Sequence, residues 1–162
     1  MTGVLAAPEA LRWLRTPVRE GTPVVVAGVA GGVGASTVAR LLGALVDEAG
    51  RAGDLEVRDV GSEAPATGAA DEPGAVVVVV CGATRAGATA AADALAVLAS
   101  RTGEGSVLAR AVVAAVPVTG RGAAPADLLA TLRSRQPGAE LVVLPRSRAL
   151  AAGGRLPTAA ED

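Results

Sequence analysis

Three glycines between an apolar run and a pair of hydroxyl side chains form the stretch of sequence best suited to chemistry. Val24, Val25 and Val26 are a β-branched run typical of a buried strand in a parallel sheet. The segment after them that could bind an anion consists of Gly31, Gly32, Val33, Gly34, Ala35, Ser36 and Thr37. Glycines permit a tight turn whose N–H groups face one anion, and a following helix adds the partial positive charge of its N-terminus. The stretch therefore predicts a phosphate-binding loop between a strand and a helix.

The predicted loop lacks the cation that phosphate-binding loops usually carry. In the pattern G-x-x-x-x-G-K-S/T, the lysine neutralises the phosphates and the hydroxyl binds Mg²⁺. Ala35 occupies the lysine position here, and Val29 occupies the position of the first glycine. All 15 basic residues of the chain are arginine, so no other part of the sequence supplies a lysine. Histidine is also absent, which removes the commonest general base.

The string AGGVGAST, residues 30–37, resembles the deviant Walker A motif of the ParA/MinD family of P-loop ATPases, K-G-G-V-G-K-S/T-T. The two lysines of that motif correspond to Ala30 and Ala35, so the chain looks like a degenerate member similar to CpaE/TadZ-like proteins. The resemblance implies a three-layer P-loop NTPase-like α/β domain, with Arg146 of the last loop as a further nucleotide contact. It implies ATP or ADP with Mg²⁺ as the ligand if a nucleotide binds; without the lysines, we expect no cofactor.

An aspartate near the end of the next predicted strand is the candidate metal contact. In LEVRDV, residues 55–60, Asp59 is followed by Gly61, which resembles the family's Walker B strand. Under that resemblance Ser36 and Asp59 would hold Mg²⁺ beside the nucleotide. A solvent-facing aspartate at a strand end is an equally good interpretation. Alternatively, LEVRDV corresponds to an earlier family strand and VVVVVCGA is a Walker B strand without its acid. In both alignments one acidic ligand is missing.

The elements that would position these residues alternate between apolar strands and helices. This order predicts an α/β fold with a mostly parallel sheet of five or more strands, at residues 24–26, 55–60, 76–80, 111–116 and 141–144. The predicted domain covers residues 22–157, after an extension of residues 1–21 and before a tail of residues 158–162. Residues 9–15 form a predicted short helix with Trp13, which either packs on the domain or docks another protein.

With no catalytic residue assigned, the sequence favours a pseudo-ATPase that acts as a protein-binding positioning or regulatory scaffold. One alternative is a slow ATPase in which Arg85 or Arg146 replaces the lysine. Another is a DNA-associated partition or mobile-element accessory protein, whose weak DNA contact would use the pair Arg133 and Arg135 or the pair at residues 146 and 148.

The remaining expectations concern partners and location. We expect an unidentified protein partner, and any homodimer should form without nucleotide because the signature lysine is missing. The net charge of −1 provides no general attraction to nucleic acid or anionic membrane. No membrane insertion is expected, because the aliphatic run at residues 75–80 is far too short to span a bilayer. No signal-peptide pattern is recognisable, so we expect a cytoplasmic protein. Cys81 is expected to be an inert core thiol.

Overall fold

The computed structural model describes residues 19–62, 71–103, 109–117 and 122–146. In chain order these residues form β1 (Thr22–Gly28), α1 (Ala35–Glu48), β2 (Leu55–Asp59), β3 (Val76–Gly82), α2 (Arg85–Thr102), β4 (Ala111–Val116), α3 (Pro125–Arg135) and β5 (Glu140–Val143). The predicted helix around Trp13, the C-terminal tail and Arg148 lie outside the described residues.

The five strands form one sheet in the order β2-β1-β3-β4-β5, and every pairing is parallel. The predicted α/β class with five parallel strands is therefore confirmed. β1 and β3 lie inside the sheet, and their runs of valine are buried on both faces as a covered parallel sheet requires. β2 lies at an edge, which agrees with its alternation of apolar and polar residues.

The helices of the described part lie on opposite faces of the sheet. Val38 and Ala39 of α1 pack with alternate residues of β1 and β3, such as Val26 and Val80. α2 and α3 pack together on the other face, over the intervening residues of β3 and β4. The sheet thus separates two apolar clusters, one under α1 and one under α2 and α3.

Local sequence explains where these helices begin and end. The Oγ1 of Thr84 accepts a hydrogen bond from the N–H of Gly87 at 3.0 Å and thereby caps the start of α2. Pro125 begins α3 because its fixed φ suits the first helical turn. α1 ends before Gly50, whose positive φ of 67° is the left-handed conformation that often follows a helix.

Candidate functional site

The glycine loop joins β1 to α1 at the carboxyl edge of the sheet. From β1 the chain proceeds through α1 to β2 on one side, whereas from β3 it proceeds through α2 to β4 on the other. The two helices lie on opposite faces, so the chain diverges at the carboxyl ends of β1 and β3. Open α/β sheets bind their ligands at such a switch point. The loop predicted to bind phosphate thus occupies the position where the fold favours a ligand.

Backbone hydrogen bonds fix the root of the loop to both neighbouring strands. The N–H of Gly28 donates to the carbonyl of Gly61, just after β2, at 2.7 Å, and the N–H of Val29 donates to the carbonyl of Val80 in β3 at 2.9 Å. A Cβ at Gly28 would lie 2.9 Å from Cγ2 of Val33 and 3.2 Å from the carbonyl oxygen of Ala30. The loop turns back on its own root so closely that only glycine fits there.

Within the loop, Gly32 and Gly34 have φ values of 75° and 92°, which favour glycine over any residue with a side chain. Gly34 is also the N-cap of α1, and it offers no side chain to cap the helix. The first turn of α1 contains no acidic residue. The N–H groups of residues 35–37, at the start of the helix, therefore depend on water or on a bound anion for their hydrogen bonds.

The other helices of the described part satisfy their first turns differently. α2 has the side-chain cap of Thr84, and α3 has Pro125 and the acidic Asp127 in its first turn. A carboxylate near a helix N-terminus stabilises it by interacting with the partial positive charge. α1 alone among these three combines an uncapped N-terminus with no nearby acid, and this arrangement is compatible with an anionic ligand.

The two alanines at the lysine positions have different surroundings. Ala35 is only 8% exposed and packs in the cluster beneath α1, whereas Ala30 is exposed at the tip of the loop. Neither side chain can offer a charge or a hydrogen bond. The loop therefore offers backbone N–H groups to an anion, and neither alanine supplies the ammonium group of the ATPase motif.

The structure brings Ser36 and Asp59 together. Both line one groove of about 320 Å³ between α1 and β2, together with Ala39, Arg40, Gly43 and Val57. Oδ1 of Asp59 accepts a hydrogen bond from the N–H of Gly61 at 3.0 Å, which holds the carboxylate over the turn after β2. The predicted pairing of these two residues thus has a geometric basis, although the sequence analysis did not identify Arg40 as a third polar member. Arg40 is four residues after Ser36, a helical spacing that would have revealed it.

This groove is a poor site for a magnesium ion on its own. It offers one hydroxyl and one carboxylate, and Mg²⁺ normally requires several oxygen ligands. The Nε of Arg40 donates to the carbonyl oxygen of Ser36 at 3.4 Å, so a positive guanidinium lies beside the two proposed ligands and opposes a cation. The described residues contain no group of three or more His, Cys, Asp or Glu side chains that could hold a metal.

Arg146 lies in a different cavity from Ser36 and Asp59. It lines an open pocket of about 450 Å³ at the carboxyl ends of β3, β4 and β5, with Ala83, Pro117, Ala123 and Leu144 among the other lining residues. Arg85, the other candidate cation, lies 3.8 Å from the carboxylate of Asp127 in α3. Neither arginine lines the groove that contains Ser36.

Cys81 is 1% exposed within β3, and burial raises the pKa of its thiol to about 11. A thiol with a raised pKa stays protonated at neutral pH and is a weak nucleophile. The expected burial of Cys81 in the core is confirmed, and its lack of reactivity stays a prediction.

Comparisons with known proteins leave the family open. No protein-family model matches the sequence, and neither a curated protein nor a solved structure is significantly similar to it. No helix in the described ranges is long and apolar enough to cross a membrane.

Proposed function

We propose that this protein is a P-loop-like pseudo-ATPase of ParA/MinD type that acts as a protein-binding positioning or regulatory scaffold. One observation carries the proposal: the glycine loop has positive φ at Gly32 and Gly34 and leads into an uncapped helix, which would suit a phosphate, while Ala30 and Ala35 stand where the resembled motif has its two lysines. Backbone amides can still bind an anion. They do not replace the cation that stabilises the charge on a phosphoryl group during transfer.

Without the lysines, the loop lacks contacts that would stabilise the transition state, so we expect ATP hydrolysis to be slow. Removing one electrostatic contact to a transition state costs about 3 kcal/mol, a factor of roughly 10² to 10³ in rate. Arg85 and Arg146, the candidate replacements, line no groove with Ser36, and Arg85 lies near Asp127 instead. The chain is therefore expected to bind nucleotide weakly or not at all, and to act through a protein partner.

The test restores the missing charge. Wild-type protein should show no ATP turnover above buffer, and Ala35→Lys should increase the affinity for Mg-ATP at least tenfold, measured by titration calorimetry. Ala44→Lys adds the same charge at an exposed position of α1, away from the loop, and should leave the affinity unchanged. Turnover by wild-type protein that is abolished by Ser36→Ala would contradict the proposal. So would a dimer that forms only when ATP is present, measured by size-exclusion chromatography.

A slow ATPase remains the second candidate because Ser36, Asp59 and Arg40 line one groove. In that case Arg40, instead of Arg85 or Arg146, would be the substitute cation. Arg40→Ala would then reduce ATP turnover by the same factor as Ser36→Ala, whereas Arg146→Ala would not.

The structure offers less support for DNA binding. Arg133 lies 3.5 Å from the carboxylate of Glu140, and Arg135 lies 2.7 Å from that of Asp93. Each phosphate contact by these arginines would compete with an existing ion pair. A scaffold that binds a protein accounts better for a chain with a net charge of −1.

A further inference from the structure

One part of the sheet is apolar but poorly covered in the described structure. We call it the open face: Val112 and Val116 of β4 with Val142 of β5 and the adjoining Leu144, all on the side of the sheet that carries α1. Directly beneath α1, Val78 and Val80 of β3 are 3% and 0% exposed. Farther along the same face, Val112, Val116 and Leu144 are half-buried, and Val142 is 49% exposed.

The opposite face of β4 is fully covered. Val113 and Ala115 of β4 are 0% and 1% exposed because α2 and α3 pack over them. Ala114 pairs in register with Val142, so both lie on the side of the sheet that carries α1. Parallel sheets bury both faces, and strands that face water on one side carry polar residues there. The valines of the open face therefore indicate an apolar cover that the described helices do not provide.

We propose that residues 8–18, the segment before β1 that carries Trp13, pack on the open face. The position where the described chain begins supports this. Arg19 lies at the amino edge of the sheet, where the N–H of Thr22 donates to the carbonyls of Arg19 and Asp54 at 3.1 and 2.9 Å. A helix that precedes β1 and ends near this edge can run antiparallel to the strands, as helices do when they connect parallel strands.

The lengths of the segment and of the open face agree. A helix over residues 8–15 would be about 12 Å long, and β5 with four residues extends about 13 Å. Residues 16–18 in an extended conformation span about 10 Å. β4 lies two strand spacings from β1, which is roughly the same distance, so residues 16–18 are long enough to connect β1 to a helix above β4.

The composition of the segment also favours it over the other end of the chain. Leu11, Trp13 and Leu14 provide large apolar side chains within one helical turn, and Pro8 suits the first turn of a helix. Apart from five alanines, the apolar side chains of residues 147–162 are two leucines and a proline, and the segment also contains a glycine pair. The side chain of Trp13 supplies far more apolar area than an alanine side chain, the commonest apolar side chain in residues 147–162.

Trp13 makes the proposal directly measurable, because the chain contains no other tryptophan and no tyrosine or phenylalanine. In native full-length protein its emission should be shifted to the blue, and acrylamide should quench it several-fold less than in urea. Val142→Glu should shift the emission to the red and raise quenching towards the urea value, with unchanged far-UV circular dichroism. The nearly isosteric Val142→Thr should have a smaller effect in the same direction. Val97→Glu, at a position of α2 that is 43% exposed, is the matched control and should change neither quantity.

Three results would overturn the proposal. Trp13 could be quenched as readily in the native protein as in urea, or its emission could be unchanged by both substitutions at residue 142. In the latter case residues 8–18 do not cover the open face. Emission that changes with protein concentration, together with a dimer by size-exclusion chromatography, would instead identify a second copy as the cover.

Discussion

Two glycines within helices offer the sharpest test of the packing, because substitution by alanine should change the free energy of unfolding in opposite directions at the two positions. Gly87 lies in the first turn of α2, and an ideal Cβ there would be 2.1 Å from the carbonyl oxygen of Gly82 and 3.1 Å from its carbonyl carbon. Gly43 lies in α1, and a Cβ there would have no atom within 4 Å. Neither glycine has a positive φ, so backbone conformation permits alanine at both.

The expected magnitudes follow from two competing effects. Replacing glycine by alanine inside a helix stabilises a protein by about 0.5–1 kcal/mol. This is the whole effect at Gly43, so Gly43→Ala should raise the free energy of unfolding by that amount. At Gly87 the contact is with backbone, which cannot rotate away, and relief requires α2 to move from the end of β3. Overpacking of this kind costs roughly 1–3 kcal/mol or more. We expect Gly87→Ala to lower the free energy of unfolding by about 2 kcal/mol after the helical gain.

Urea denaturation followed by far-UV circular dichroism measures both variants against wild type. The midpoint should increase for Gly43→Ala and decrease for Gly87→Ala, while the dependence of the free energy on urea stays constant. If Gly87→Ala raises the midpoint as much as Gly43→Ala does, then α2 does not approach the end of β3 as closely as described.

Three further predictions concern single side chains. Thr84→Ala removes the cap of α2 and should lower the free energy of unfolding by about 0.5–2 kcal/mol in urea denaturation; an unchanged midpoint would mean that the hydroxyl does not cap the helix. Leu128→Ala, at a fully buried position of α3, should cost about 2–5 kcal/mol in the same assay, and a loss below 1 kcal/mol would show that this core relaxes around the cavity. Cys81 should resist iodoacetamide until urea unfolds the chain. Because folding raises the pKa of its thiol from 9.0 to about 11, the native state keeps a proton that the unfolded chain loses, and stability should fall as the pH rises through that range.

The sequence was sufficient to predict features that depend only on residues close together in the chain. The valine run of β3 and the apolar run of β4 have the composition of covered strands, and the structure places both inside the sheet. The glycine loop was identified from residue types alone, because its shape depends on Gly32 and Gly34 having positive φ. Such local features are encoded within a few residues.

Features that depend on contacts distant in sequence could not be predicted in this way. The strand order, with β1 between β2 and β3, follows from how the helices pack and not from any one segment. The need for glycine at position 87 arises from its contact with β3. Leu45 of α1 is apolar yet 45% exposed, because the face of α1 that packs on the sheet consists of Ala35, Val38 and Ala39, with Leu42 and Val46 partly packed beside them. The groove that contains Arg40 likewise required the position of β2, because Val57 and Asp59 form its other wall.

The two hydrogen bonds at the root of the glycine loop affect how much conformational entropy the loop would lose when a ligand binds. Gly28 and Val29 are already fixed by their bonds to Gly61 and Val80, so only residues 30–34 can still adjust when an anion arrives. Ordering a loop residue costs about 1–2 kcal/mol, so each residue that is fixed in advance reduces the entropic cost of binding by about that amount. Contacts between backbone amides and an anion would then have to order residues 30–34 but not the root of the loop.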